Sequence, residues 1–158
     1  MPVTVDVTVS DSCAADSHPE LALLEQWVSA AYLDDVTAVA SILVTSAEKI
    51  QQLNKQYRDK DKATNVLSFP MESPDDVDIS LLGDIVLCTT VIKQEAEQQA
   101  KSEESHWAHM VVHAMLHLQG FDHIDNDEAE KMEQLEIKIL QQLGFDNPYL
   151  YPDTDETR

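Results

Sequence analysis

Five of the six histidines in this chain fall within eighteen positions: His106, His109, His113, His117 and His123. The densest part reads His113-Ala-Met-Leu-His117-Leu-Gln-Gly120-Phe-Asp-His123. Neutral imidazole is the commonest protein ligand for transition metals. On a helix, His113 and His117 share one face a turn apart, so both can reach a single ion. Gly120 can adopt the left-handed conformation that ends a helix, and the reversed chain can return His123 to the same ion. Three imidazoles with a fourth position open to water are the pattern of catalytic rather than structural zinc. Such an ion lowers the pKa of bound water to about 7.

The spacing matches that of metzincin proteases. Position 114 is Ala, however, where those enzymes need a glutamate as general base. Peptide hydrolysis is therefore disfavoured. His109 lies one turn before His113 and reads as an outer hydrogen-bond donor, a substrate contact or a plain core or surface histidine, and His106 reads as structural. Asp122 and Asp125 flank His123, where a carboxylate can orient an imidazole, move a proton or simply solvate a turn.

The charge adds a second clue. Ten Lys and Arg stand against thirty Asp and Glu, a net charge of −20. Such a chain is repelled by duplex DNA and by anionic membrane surfaces. Yet Lys49, Lys55, Arg58, Lys60 and Lys62 cluster against only Asp59 and Asp61. A guanidinium within that stretch can clamp a phosphate through two parallel hydrogen bonds.

These residues need a scaffold. Val3, Val5, Val7 and Val9 alternate with polar residues and predict a strand. Ser17 to Glu20 reads as a capping box for a helix with Leu21, Leu24, Val28, Ala31 and Tyr32 on one face. Val36–Val44 predicts a second strand, and Thr45 to Glu48 caps a helix to about Gln56. Asn65–Phe69 predicts a short strand ended by Pro70, Met71–Ser80 an acidic loop, and Gly83–Cys88 another strand. Thr89 or Thr90 then caps a helix to about Lys101. Ser102–Gln119 predicts the histidine helix, and Asp127 caps a last helix through Leu143 with Met132, Leu135, Ile139 and Leu143 inward. The order of elements gives an α+β fold: a small mixed sheet of about four strands, about five helices, and a metal cleft formed by the histidine helix and the turn after it.

The length of 158 residues predicts one domain over 1–158, with 146–158 fraying. Three Gly and six Pro exclude collagen-like and low-complexity chains. No apolar run approaches the ~20 residues of a membrane span. The opening MPVTVDVTVS has no basic signal region, so a soluble cytoplasmic protein is expected. Cys13 and Cys88 then read as reduced thiols.

Three stretches together resemble the YbeY family of bacterial metal-dependent endoribonucleases. They are the histidine segment 113–123; Leu53-Asn-Lys-Gln-Tyr-Arg58-Asp-Lys-Asp-Lys-Ala-Thr64-Asn-Val-Leu-Ser-Phe-Pro70; and Leu82-Gly-Asp84-Ile85. They occur in the family's order and run from about residue 50 to 125. The resemblance implies one Zn2+ on His113, His117 and His123, a four-stranded sheet, and a role for Arg58 in catalysis or RNA binding. It implies maturation of the 16S ribosomal RNA 3′ end and ribosome quality control, acting on single-stranded RNA. Ala114 stands where the family usually has Gly, and Asn65 where it often has Asp.

On this reading Arg58 and His117 are the catalytic candidates, and Arg58, Lys55, Lys62 and His109 the substrate-binding candidates. The expected partners are ribosomal RNA and the small ribosomal subunit, with a ribosomal or GTPase-type protein as the delivering partner. DNA and membranes are not expected partners. Two other readings stay open: a metal-dependent hydrolase of a non-RNA substrate, and a non-catalytic ribosome-associated factor with structural zinc, for which Cys88 is the candidate fourth ligand.

Overall fold

A computed structural model of the chain describes residues 2–71, 79–122 and 124–149. The alternating valines form β1 (Val3–Val9), followed by a 3-10 turn at Asp11–Cys13 and helix α1 (Leu21–Ala31). Then come β2 (Ala38–Thr45), α2 (Ala47–Arg58), β3 (Val66–Pro70) and β4 (Ser80–Cys88). Helices α3 (Thr89–Gln98), α4 (Glu103–Leu118) and α5 (Asn126–Gln142) complete the order. The sheet runs β1-β2-β4-β3. β1, β2 and β4 are parallel, and β3 pairs antiparallel with β4 as an edge strand. The expected α+β fold, with four strands in a mixed sheet and five helices, is the observed one.

Helix starts differ from expectation by a few residues. α1 begins at Leu21 with Glu20 as its N-cap and no capping side chain, so Ser17 does not cap it. Ser46, not Thr45, caps α2 by accepting from the Lys49 amide. Cys88 precedes α3 without a side-chain cap, and Asp125, not Asp127, caps α5 through the Glu128 amide. Each segment offers several capping residues in a row, and packing selects among them. Most of the acidic loop expected at 71–80 lies outside the described residues.

Period-2 alternation along β2 sends Ala38, Ala40, Ile42 and Val44 to one face of the sheet. They join Ile85 and Leu87 of β4 in the main core with Leu24, Trp27 and Val28 of α1 and most of α4. A smaller cluster on the other face packs Ile50 and Leu53 of α2 against Leu67, Val86 and Cys88. α4 is buried nearly all round, from His106 through Leu116 with only His113 more open. A helix so placed must be apolar on most sides. After Ser105 its polar side chains are four histidines, at positions 106, 109, 113 and 117.

Two contacts seat α4 beside β3. Gly83 pairs with Pro70 across the β3–β4 ladder at φ +136°. A Cβ there would collide with the Phe69 carbonyl oxygen and press on Leu118 at the end of α4. At the other end of β3, the Glu95 carboxylate accepts from Asn65 Nδ2 at 2.9 and 3.2 Å and from buried His106 Nε2 at 2.8 Å. Burial opposes ionisation of Glu95, but the bonds from His106 and Asn65 outweigh it and hold the carboxyl below its usual value.

Two expectations follow. Gly83→Ala should lower stability by several kcal/mol, read from urea midpoints, because the backbone and the Phe69 carbonyl must both move. A cost below ~1 kcal/mol would mean that β3 and β4 separate easily there. Because its folded value is lowered, the contribution of Glu95 is full above the ordinary value of 4.5 and is lost as pH falls through that value and below it. Glu95→Gln should cost about 1–3 kcal/mol near neutrality and flatten the fall in stability on the acid side. An unchanged acid slope would contradict this.

Candidate functional site

α4 starts with Ser102, whose hydroxyl accepts from the Ser105 amide at 3.1 Å. It stops at Gly120, φ +101°, where the Gly120 amide bonds the His117 carbonyl at 3.0 Å and the Phe121 amide the Leu116 carbonyl at 3.0 Å. This paired closure is a Schellman cap, which needs the left-handed glycine. Gln119 then pins the helix end to α1: its Nε2 donates to the Ala31 carbonyl at 2.7 Å, and its Oε1 accepts from the Leu33 amide at 2.8 Å.

Near that end, His113 and His117 turn edges toward each other, with Nε2 to Nε2 at 3.1 Å. Two nitrogens bound to one tetrahedral zinc at ~2.0–2.1 Å lie about 3.3 Å apart. The pair thus has nearly the spacing that a shared ion requires, and this donor set fits a metal. His123 lies outside the described residues.

The other edge of His113 faces a residue that the sequence reading missed. His113 Nδ1 donates to Glu136 Oε2 at 2.9 Å, and His109 Nε2 donates to Glu136 Oε1 at 2.7 Å. The Tyr149 hydroxyl donates to the same Oε1 at 2.6 Å. His109, His113 and Glu136 therefore bring three metal-competent ligand atoms within 4.8 Å of one another, a group that could bind a metal ion. At 2.7 and 2.9 Å, however, their contacts have the length of charge-assisted hydrogen bonds. Burial pushes the Glu136 carboxyl up, but the bonds from His109 and His113 outweigh it and hold it down at about 2. Burial also lowers the pKa of His109, against the pull of Glu136. At neutral pH the carboxylate is charged and His109 is a neutral donor. Glu136 sits one turn beyond Met132 and one turn before Ile139, so a carboxylate on the apolar stripe of α5 was its only trace in the sequence.

The basic stretch reaches the same place from α2. Asp59, in the left-handed region at φ 59°, ends α2, and buried Asn54 holds the following loop by donating from Nδ2 to the Lys62 carbonyl at 3.0 Å. Arg58 donates from Nη2 to the Ser68 carbonyl at 2.5 Å and lies over the Phe69 ring, 5.1 Å from its centre. Arg58, Lys60, Lys62, Thr64 and Ser68 line a cleft of about 710 Å³ with His113, Ala114, His117 and Asp122.

Not every candidate lands there. Lys55 projects to solvent on α2, 3.9 Å from Asp61, and does not line the cleft. It lies one turn of α2 earlier than Arg58, further from the β3 end of the cleft. His109 is 8% exposed, is bonded to Glu136 and does not line the cleft. Asp125 is occupied as a helix cap. Cys13 and Cys88 are free buried thiols. Cys88 packs with Ile50 and Leu67 rather than lining the cleft, so it does not supply a fourth ligand there. Residues 147–149, expected to fray, are held by Tyr149 on Glu136 and by the Tyr149 amide on Asn147 Oδ1 at 2.8 Å. No helix among the described residues is long and apolar enough to cross a membrane.

Fold and site define an α+β protein with a metal-competent histidine helix facing an arginine- and lysine-lined cleft. The family model described as Endoribonuclease YbeY matches residues 14–144, and the chain belongs to that family. An endoribonuclease YbeY from Colwellia psychrerythraea is 48% identical over 92% of this chain and 96% of its own length. One from Idiomarina loihiensis is 45% identical, covering 98% and 96%. A Thermotoga maritima protein solved in solution shares the fold at TM-score 0.52 and 23% identity, over 98% of this chain and 99% of that one.

The two ligand groups around His113 make opposite forecasts for one variant. His117→Ala should lose stoichiometric zinc, measured as metal content after dialysis, if the ion sits at the His113–His117 edge. Full retention would place the ion at His109, His113 and Glu136.

Proposed function

We propose that this protein is a zinc-dependent endoribonuclease that cuts single-stranded ribosomal RNA, in 16S 3′-end maturation and ribosome quality control in the cytoplasm. The observation that carries the reading is that one cleft holds both the His113–His117 edge and Arg58 with Lys62. His113, His117 and His123 would hold the ion. When bound, it supplies Lewis-acid polarisation of the phosphate and a lowered pKa for the attacking hydroxyl.

The chain's own residues do the rest. Arg58 binds the scissile phosphate with the N–H donors that the Ser68 carbonyl leaves over, and stabilises charge that grows as the phosphorus becomes five-coordinate. Its stacking on Phe69 limits the ways the guanidinium can turn, so less order is lost when the phosphate arrives. Lys62 and Lys60 hold neighbouring phosphates. Ala114, on the cleft wall, brings no acid or base to the reaction.

The remaining surface is strongly acidic, so attraction for RNA is confined to this edge and falls steeply with salt. Specific action then depends on delivery to the small ribosomal subunit by a ribosomal or GTPase-type protein. Arg58→Glu should lower cleavage of single-stranded ribosomal RNA at least about 100-fold while zinc content stays at the wild-type level. Full activity in that variant would overturn the phosphate clamp. His117→Ala, purified identically, reports any contaminating nuclease.

A further inference from the structure

We propose that Glu136 is a positioning residue that fixes His113 in its metal-binding tautomer, and that Tyr149 is the latch that holds Glu136 in place. The inference rests on the reading above only in taking His113 as a ligand.

Glu136 is wholly buried at the interface of α5 with α4. A buried carboxylate is tolerated only when its oxygens are well supplied with donors. Here Oε1 accepts from both His109 and Tyr149, at 2.7 and 2.6 Å, and Oε2 accepts from His113 at 2.9 Å. The two bonds on Oε1 set the plane and reach of the carboxylate, and so aim Oε2 at the His113 ring.

The chemistry of the acceptor then decides where the His113 proton sits. An ionised carboxylate only accepts, so Nδ1 must carry the hydrogen and Nε2 the lone pair. Nε2 is the atom 3.1 Å from His117 Nε2, on the cleft side. The other tautomer would set two acceptors, Nδ1 and Oε2, against each other in the core. The network thus selects the one form of His113 that can bind a metal into the cleft. An acidic outer partner also makes the imidazole a more basic ligand.

Tyr149 reaches this network from beyond the last helix. Phe145 anchors the segment edge-on against Trp27, with ring centres 6.2 Å apart. The Tyr149 ring packs edge-on to His109 at 5.3 Å. Neither Tyr149 nor His109 lines the cleft. Tyr149 therefore bears on the cleft edge of His113 through the carboxylate it bonds, while His109 also packs edge-on against His113 with ring centres 6.3 Å apart.

The test is zinc affinity of the metal-free full-length protein, by competition with a chromophoric chelator at fixed pH. Glu136→Gln keeps the shape but turns one acceptor into a donor, and should weaken zinc binding 10- to 100-fold. Tyr149→Phe removes one of three bonds and should weaken it by about threefold or more. Because Glu136→Gln is buried and its folding is at risk, Tyr149→Phe decides alone if the first variant fails to fold. Circular dichroism and melting in chelator separate lost folding from lost affinity. Zinc binding within twofold of wild type in the folded variants overturns the proposal. So does binding that survives His117→Ala but is lost in Glu136→Gln, since Glu136 would then be a ligand. A wild-type protein that binds zinc but cuts no RNA would overturn the functional reading and leave this one standing.

Discussion

Everything in this molecule depends on burying a helix that carries four histidines. α4 lies between the sheet, α1, α3 and α5, and its residues from Trp107 to Leu116 are nearly all core. An imidazole in such a place needs a partner, because an unmet buried polar edge costs more than a typical hydrogen bond returns. The fold answers differently along the helix. His106 is paired with Glu95 and His109 with Glu136, each through one ring nitrogen. His113 is shared between Glu136 and His117, and His117 faces the cleft. The stripe therefore grades from structural pairing in the core to a metal-competent edge at the cleft.

The same constraint explains why the cleft is where it is. α4 emerges beside β3, the short edge strand. α2 brings Arg58, tied back to the Ser68 carbonyl of that strand, and a lysine loop held by Asn54. An edge strand is an aggregation hazard unless something polar guards it. Here the guard is the Arg58 guanidinium, bonded to the Ser68 carbonyl of that strand. Against a net charge of −20, this edge stands out as locally basic.

Family membership and site geometry meet at these residues. The match over 14–144 takes in the Arg58 loop, both inner strands and the whole of α4 and α5. It ends just before Tyr149, which reaches back to Glu136. The network around Glu136 thus joins residues inside the matched region to one outside it.

The sequence by itself determined a good deal. Alternation, apolar β-branched runs, capping residues and helical periodicity located the four strands and five helices among the described residues, because all of these are local properties of the chain. The His113–His117 spacing and Gly120 specified a metal-competent helix end for the same reason: both ligands and the stop lie within eight residues. What lay beyond reach was non-local. Glu136 is 23 residues from His113, and Tyr149 is 40 from His109. No spacing rule connects them, and only the packing of α5 on α4 turns a carboxylate on an apolar stripe into a partner. Likewise Arg58 and Lys55 both read as substrate-binding candidates, and the packing of α2 put Arg58 at the cleft and left Lys55, one turn earlier, in solvent. Tertiary structure decided these points because a side chain's role depends on what stands opposite it, and that is set by the fold as a whole.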